Sequence, residues 1–550
     1  MTRHTTVLVV GAGPCGLAMA AQLRRLDVDV TVVDAQGRPH TGSRAILLWP
    51  PVREVLDELG LAEDAARAAV RPAALHYHLG SGGSVRVPLA ASDIPLVLPQ
   101  ERTGQLLAQA LADRGTTVEW GTRVSRITPA ADSVRATLTR EADGAQEEIE
   151  ADWLIGADGL HSSVREALGV EFSGARFPAT FLLAEGRITG TTDPGGPGAA
   201  DPGGLGAVET GGLGAVETGG LGAAETGGPG AAHTANLSTQ EIHYFLARTG
   251  VALLAPLPSG EFRLSGAVPA GTAATAEHAQ ALLDERGPGG LRFTEVRSVA
   301  LFSSEERVAH TLRSGRCFLV GDAAHVHSPI GGQGLNLGIP DTRNLAWKLA
   351  GVVHGRLLPS VLDSYDPERR AVIAQTLEAT GRMARQAVAG PVAGRVRNLT
   401  WKLLQVTGVL TRFYAPMLAG WRSHYPDVLF GAPLPDSKRR TQRSRPRPGT
   451  RDPRWTPRPT DALAGRFQLF THGDPAGPLA ARAAHLAADL PDVIAHIPSD
   501  GGQEHFVLLR PDGYVAASGG ADDLSRAGRR LASLVPALPS GTPAGEGRSR

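Results

Sequence analysis

The sequence predicts an α/β protein: a βαβ fold at the N-terminus, a β-rich insert in the middle, and a second, small α/β unit at the C-terminus. Three observations carry that prediction. Thr5–Val10 is a short apolar run ending in glycines; apolar residues at helical spacing follow over Leu17–Leu26, then a second apolar run, Val28–Val33. A helix period between two short continuous apolar runs is the pattern of a βαβ unit. From about Gly169 to Arg297, period-two alternation dominates, as in TFLLAEGRI and EIHYFLAR. Beyond a Pro- and Arg-rich stretch, Pro433–Pro459, the order is FQLFTH, an Ala/Leu helix at 478–490, VIAHIP, a hairpin across FVLLRPDGYVAAS, and a closing helix near Leu524–Val535.

Between these parts the expected elements are a helix over Arg102–Arg114, a buried strand at Trp153–Ala157, a short helix at Ser162–Leu168, a strand at Arg316–Val320, a long helix over Leu335–His354 and helical sequence through 360–425. The resulting division places residues 1–168 and 300–425 in one discontinuous domain, 169–299 in the β-rich insert, and 430–550 in the C-terminal unit. Pro433–Pro459 reads as a linker. Inside the insert, GGLGAVET occurs at 203–210 and 211–218, GGLGAAET at 219–226 and GGPGAAHT at 227–234, with a fainter copy, GGPGAADP, at 195–202. An eight-residue period lies far below that of folded repeat architectures, and so much glycine cannot offset its backbone entropy by burial. Residues 195–234 are therefore expected to form a disordered loop.

Bulk composition narrows the class. Hydrophobic residues make up 42% and charged residues 20% of 550, as in ordinary globular proteins. Lys+Arg and Asp+Glu are both 55, so no net field draws the chain to nucleic acid or to an anionic membrane. Nearly all the cations are arginine; the lysines are Lys348, Lys402 and Lys438. No apolar run is long enough to span a bilayer, and the N-terminus lacks the pattern of a secretory signal, so a cytoplasmic protein is expected. Cys15 and Cys317 are too few and too far apart for a disulfide framework or a zinc site, and read as small buried hydrophobes.

The chemistry begins with Gly11-Ala-Gly13-Pro14-Cys-Gly16, between a strand and a helix. Gly11 allows the tight turn, Gly13 lets a pyrophosphate approach the backbone, and Gly16 lets helix and sheet pack closely. The helix N-terminus then offers free N–H groups and its positive dipole end. Asp34 ends the second strand, 18 residues after Gly16, where an acid accepts hydrogen bonds from a ribose diol. Together these define a dinucleotide site of Rossmann type. Two further motifs favour FAD over NAD. One is Gly156-Ala-Asp158-Gly159-Leu-His-Ser-Ser163-Val-Arg165. The other is Gly321-Asp322 within CFLVGDAAHVHSPIGGQGLNLGIPDTRNLAWKLA. In the second, a strand ends at an Asp positioned for ribityl hydroxyls. A Gly-rich loop then enters a helix whose N-terminus stabilises negative charge at the pyrimidine end of a flavin.

With these three motifs in this order, the chain resembles the class A FAD-dependent aromatic monooxygenases of the p-hydroxybenzoate hydroxylase fold, from Thr5 to about Arg370 with the glycine repeat as an interruption. More narrowly it resembles the aromatic polyketide hydroxylases, whose C-terminal domain is thioredoxin-like without redox cysteines. YPDVLFGAPLPD and LLRPDGYVA are similar to the start and end of that domain. The resemblance implies that Gly11, Gly13, Pro14 and Gly16 hold the FAD pyrophosphate and Asp34 the adenosine ribose. Arg44 would lie near flavin and pyrophosphate, Gln100 near the ribityl chain, and the Val124 backbone at the adenine. Asp158 and Gly159 would serve FAD and a passing NAD(P)H, and Asp322 would bind ribityl hydroxyls. Pro329 and the Gly331–Asn336 segment, with Gly332, Gly334, Leu335 and Asn336, would line the flavin.

The chain departs from the family pattern at Pro50-Pro51-Val52-Arg53-Glu54, where Pro-Arg-Thr-Leu-Glu is usual, at Thr103-Gly104, where Thr-Glu is usual, and at Pro340, where Gln is common. These departures concern the substrate side; Pro340 is also expected to end or kink the first turn of its helix. His325 and His327 read as packing or hydrogen-bonding residues, and no metal ligands are expected. Asp363, Tyr365, Glu368, Arg369 and Arg370 read as a solvated, ion-paired face, and Trp347, Trp401 and Trp421 as core anchors.

The activity implied by the resemblance is reduction of FAD by transiently docked NAD(P)H, addition of O₂ at flavin C4a, and delivery of one oxygen from the hydroperoxide to an electron-rich ring, a polycyclic phenol or polyketide. The partners are then an aromatic small molecule and O₂, with no nucleic acid and no membrane; a homodimer is compatible. No catalytic base is singled out. The same fold hosts Baeyer–Villiger and antibiotic-inactivating oxygenation. A flavin dehydrogenase and a silent FAD-containing metabolite-binding protein are the other readings.

Overall fold

In the computed structural model, residues 3–39, 45–80, 83–192, 237–327, 332–387, 391–426, 429 and 445–537 are described. Arg44, Pro329 and the repeat at 195–234 lie outside the described residues.

The N-terminal half is organised by an eight-stranded sheet. Its centre is the first strand, Arg3–Val10, which pairs in parallel with Gln146–Gly156 on one side and Val30–Asp34 on the other. Cys317–Leu319 and Val118–Trp120 extend it in parallel outward. Val7, Leu8 and Val9 are fully buried, as are Val32, Val33, Leu154 and Ile155, because helices cover a parallel sheet on both faces. The helix Pro14–Arg25 crosses between the first two parallel strands, which completes the expected βαβ unit.

A second eight-stranded sheet runs in the order His325–Val326, Arg292–Ala309, Phe172–Thr189, Phe262–Val268, Gly250–Pro256, Glu241–Ala247, Ala74–His78, Ser84–Pro88. It is mostly antiparallel, but its Glu241–Ala247 and Ala74–His78 strands pair in parallel. By sequence, Ala74–His78 and Ser84–Pro88 fall in the first segment and the β-rich part ends at 299. Here the sheet takes both early strands and runs on through Ala309. Their partners lie more than a hundred residues away in sequence, so no local pattern ties them to the insert. One face of the sheet buries Leu182, Ala184, Phe245, Leu254 and Leu264 against Leu282 and Leu283 of the helix Ala276–Arg286. The other presents Leu75, Tyr77, Leu246 and, partly buried, Tyr244 to Ile46, Leu47 and Trp49, with Trp421 and Tyr414 closing over it.

The C-terminal unit follows the expected element order. Phe467–Gly473 is flanked on both sides by Ile494–Leu509, which doubles back at Gly501 and Gly502 (φ +85° and +80°), so that Gln468 registers with both Ala495 and Leu509. Val515–Gly519 pairs antiparallel beyond it, and the helices Pro478–Asp489 and Ala521–Ala532 complete the unit. No helix among the described residues is long and apolar enough to cross a membrane.

Two expectations fail. The described end of the proline/arginine stretch is not a loose linker. Gly449 and Thr450 hydrogen-bond the backbone of Val515 and Tyr425, and Arg451 is buried against Glu54. The polar segment at 363–370 is not a solvated face either. Tyr365, Glu368 and Arg369 are fully buried, while Asp363 is exposed and pairs with Arg313. Glu368 receives Arg510 at 2.6 Å and Lys348 at 2.7 Å, and Asn344 bridges Glu368, Tyr425 and Asp512. Each charge is matched across three distant segments, which is why helix periodicity alone did not show it.

Candidate active site

The glycine turn is sealed below and open above. A Cβ on Gly11 (φ +102°) would lie 2.4 Å from the Ala157 carbonyl oxygen, and one on Gly16 would lie 1.8 Å from the Gly11 carbonyl oxygen. A Cβ on Gly13 would meet nothing within 4 Å. Only at Gly13, then, does the backbone face free space, which is where a pyrophosphate needs to approach. The helix beginning at Pro14 has no side-chain cap and no acid in its first turn, so its orphan N–H groups and dipole face that space. At the adjoining strand end the Asp34 carboxylate accepts from Ala12 N at 2.6 Å and Gln36 N at 2.7 Å. It sits at the rim of the same turn. This combination of sealed turn, open Gly13 and rim carboxylate fits the diphosphate and ribose of FAD.

The second and third motifs converge on the turn. Ala157 N donates to Val10 O, which places Asp158 beside Gly11. The Asp158 carboxylate is itself engaged: Ser163 Oγ (2.9 Å), Val164 N (3.1 Å) and Ser162 Oγ all donate to it. It therefore shapes its own loop and starts the helix Ser163–Ala167, while Gly159 (φ +81°) leaves the backbone open. Arg165 spans to the third motif, donating to Ala323 O at 3.0 Å and Leu160 O at 2.8 Å. Asp322 is exposed in the short helical turn Gly321–Ala323.

Cys15 locks these pieces together. A Cβ on Gly321 or on Gly338 would each lie 2.6 Å from its sulfur, so the thiol fills a notch between the Asp322 turn and the long helix Gly334–Val353. Burial raises the Cys15 and Cys317 thiols, in keeping with packing roles. Beneath the notch lies Asp341, fully buried, whose carboxylate accepts from Gly321 N (3.1 Å), His325 Nε2 (2.7 Å) and Arg369 Nε (2.7 Å). Burial alone would raise it, but His325 and Arg369 hold it below the usual carboxylate range. His325 thus has the hydrogen-bonding role expected of it. Asp341 and Arg369 were missed as organisers, because both sit in helical stretches that carry several other polar residues.

The long helix runs unbroken through Pro340 and begins without a side-chain cap or a first-turn acid. Asn336 near its start donates to Leu47 O and Gly332 O and accepts from Trp49 N, all at 2.7 Å. Both amide hydrogens and the amide oxygen are engaged, so it clamps the Leu47–Leu48 strand to the helix. Gly332 (φ +62°) packs on Leu47, and Leu335 is buried. Gln100 opens the helix Gln100–Ala112 and exchanges hydrogen bonds with Ala45. Val124 is buried on the strand Thr122–Pro129, beside the turn where Gly121 N reaches Gln36 O.

Across Leu47 and Trp49 from that helix lies the aromatic face of the second sheet. Tyr77 stacks on Tyr244 at 4.8 Å and shares a 3.0 Å hydrogen bond with Tyr414, against which Trp401 is edge-on. Burial raises all three phenols, Tyr414 to about 12, so at neutral pH they act as neutral hydrogen-bonding groups and not as bases. A cavity of ≈ 340 Å³ adjoins Trp49 and Asn336. Pro51 lines it, which puts the Pro50–Glu54 departure on a cavity wall.

A fold with this turn, this second sheet and this helix entry defines a flavoprotein class. The FAD binding domain family matches residues 4–186 and 268–380, and the chain belongs to that family. Among its relatives, the 6-methylpretetramide 4-monooxygenase of Streptomyces rimosus is 31% identical over 594 residues, covering 99% of this chain and 96% of that protein. The 12-dehydrotetracycline 5-monooxygenase/anhydrotetracycline 6-monooxygenase of Streptomyces rimosus subsp. rimosus is 29% identical, covering 95% and 97%. The solved structure of the anhydrotetracycline hydroxylase OxyS from Streptomyces rimosus superposes with a TM-score of 0.67 at 26% identity, covering 94% of this chain and 96% of that one.

Proposed function

We propose that this protein is an FAD-dependent monooxygenase that uses NAD(P)H and O₂ to hydroxylate an aromatic, polycyclic polyketide-like substrate. The observation that carries the proposal is the convergence of the open Gly13 turn, the Asp322 turn and an uncapped helix N-terminus on one site, locked by Cys15. When bound, FAD accepts hydride from NAD(P)H and activates O₂. The chain's own residues bind, orient and shield it. Gly11, Gly13, Pro14 and Gly16 take the pyrophosphate, Asp34 the adenosine ribose and Asp322 the ribityl chain. The helix from Gly334 presents its N-terminal N–H groups where negative charge gathers, and preorganised donors of this kind cost no reorganisation during reaction. Asn336 holds Leu47 and Trp49, and with them the wall facing Tyr77 and Tyr244, against which a flat apolar substrate lies with water excluded.

In domain terms, the reading is a Rossmann-type FAD-binding domain with an inserted β-rich substrate domain. The C-terminal unit is thioredoxin-like, on the strength of its element order, and has no cysteine for thiol chemistry. Arg451, Arg510 and Asp512 fasten it to Glu54, Glu368 and Asn344 respectively, so it serves to cover the catalytic part. The test is direct: the purified protein is yellow, releases FAD on denaturation, and oxidises NADPH faster when offered polycyclic phenols. A colourless protein that cannot be reconstituted with FAD would overturn the reading.

A further inference from the structure

On the face of the second sheet turned away from Tyr77 and Tyr244, three histidines meet. His76 and His243 are directly opposed in the parallel pairing, and His78 lies two residues along, opposite Phe245. Side chains two apart in a strand share a face, so all three rings stand together; one ring nitrogen from each lies within 4.8 Å of the others. We infer that His76, His78 and His243 form a binding site for one divalent transition-metal ion that prefers imidazole nitrogen, zinc foremost.

The hydrogen bonds on the outer ring nitrogens carry the inference. His76 Nδ1 is 3.0 Å from Glu241 Oε2 and His243 Nε2 is 2.8 Å from the Ser238 carbonyl oxygen. A carboxylate and a carbonyl only accept, so both outer nitrogens carry the proton. The inner ones, His76 Nε2 and His243 Nδ1, then carry lone pairs. His76 Nε2 is buried with no hydrogen-bond partner among the described residues. His243 Nδ1 accepts a hydrogen bond from His78 Nε2 at 3.2 Å, so an ion taking that place shifts the His78 proton to Nδ1. A carboxylate or carbonyl behind each ligating imidazole is the arrangement that fixes tautomer and orientation at metal centres. The Glu241 carboxylate is in turn anchored by Arg86 at 2.7 Å. Zinc–nitrogen bonds of about 2.0–2.1 Å in a tetrahedron need nitrogens roughly 3.3 Å apart; the His78–His243 pair already meets that, and a small rotation of the partly exposed His76 closes the third side. The ion would pin Ala74–His78 to Glu241–Ala247, a junction joining strands remote in sequence.

The test uses full-length, tag-free flavoprotein stripped with a chelator and titrated with zinc chloride, with bound metal read by equilibrium dialysis and the melting temperature read in parallel. Wild type should take up one zinc per chain and melt higher. His78→Ala should abolish that stoichiometric uptake while keeping its flavin. Glu241→Gln should keep the site but weaken it roughly 10–100-fold, the effect usual for a group that orients a ligand. Cobalt(II) bound by wild type should show tetrahedral d–d bands to the red of the flavin absorption. No saturable uptake by wild type, or equal uptake by His78→Ala, would overturn the inference.

Discussion

Gly338 is the most exposed point of failure in the flavin site, although it touches no proposed ligand group. A Cβ there would lie 2.6 Å from Cys15 Sγ and 3.0 Å from Gly321 Cα, where ordinary contact begins at 3.4 Å. Both neighbours belong to the site: Cys15 stands in the first turn of the phosphate-facing helix and Gly321 opens the Asp322 turn. Gly338→Ala must therefore push the long helix away from both by several tenths of an ångström or more. Overpacking of one methyl in a close-packed core costs about 1–3 kcal/mol. The apoprotein relaxes outward, whereas the flavin requires all three motifs in register, so the cost appears in FAD binding as a dissociation constant raised roughly 5- to 150-fold. Fluorescence-quenching titration of apoprotein with FAD measures this, with the melting temperature as a check on folding. Cys15→Ala in the same chain removes the worst clash but leaves Gly321 Cα, so the double variant should recover part of the loss. Wild-type affinity in Gly338→Ala, or a double variant no better than the single, would refute the notch as the element that registers the motifs.

Three other outcomes are expected. Burial opposes ionisation of Glu368, but Arg510 and Lys348 hold its carboxyl down at about 2, against 4.5 ordinarily; that difference amounts to roughly 3 kcal/mol of stability, present above pH 4.5 and lost as pH falls toward 2. Glu368→Gln should thus lower the urea midpoint substantially at pH 7, with the gap to wild type narrowing below pH 4.5; an unchanged midpoint at pH 7 would count against the buried network. Asp322→Ala removes charge-assisted hydrogen bonds worth roughly 1.5–3 kcal/mol each, so FAD should be lost on gel filtration, and full retention would exclude the ribityl role. Deleting residues 195–234 should leave flavin content unchanged, because loop length costs only about 0.6 kcal/mol per doubling; insoluble protein would show that the glycine octads contribute to the fold.

Much of the site's skeleton was legible because the features that build it are local. Gly11, Gly13, Gly16 and Asp34 lie within one βαβ unit; a Cβ would clash at Gly11 and Gly16 and meet nothing within 4 Å at Gly13. The long helix after Gly332 was likewise readable, and Pro340 does not interrupt it. What was not legible is long-range. Asp341, Arg369 and Glu368 look like a polar helix surface until Gly321, His325, Lys348 and Arg510 are brought to them from other segments. The same holds for His76, His78 and His243: two lie in ALHYH and one in EIHYF, and only the parallel pairing across the insert brings them onto one face. Asp158 and Asn336 illustrate a further limit. Both are read from the sequence as flavin-side residues, but in the structure their side chains are engaged in shaping the loop and clamping the Leu47–Leu48 strand.

Isotope labelling follows the proposed transfer of oxygen from O₂ to an aromatic ring. With a polycyclic phenolic substrate, NADPH and ¹⁸O₂, the enzyme should consume NADPH and O₂ in equal amounts and yield a product carrying one ¹⁸O atom. An oxidised product without label, formed while NADPH or flavin turns over, would mark a dehydrogenase and contradict the monooxygenase assignment.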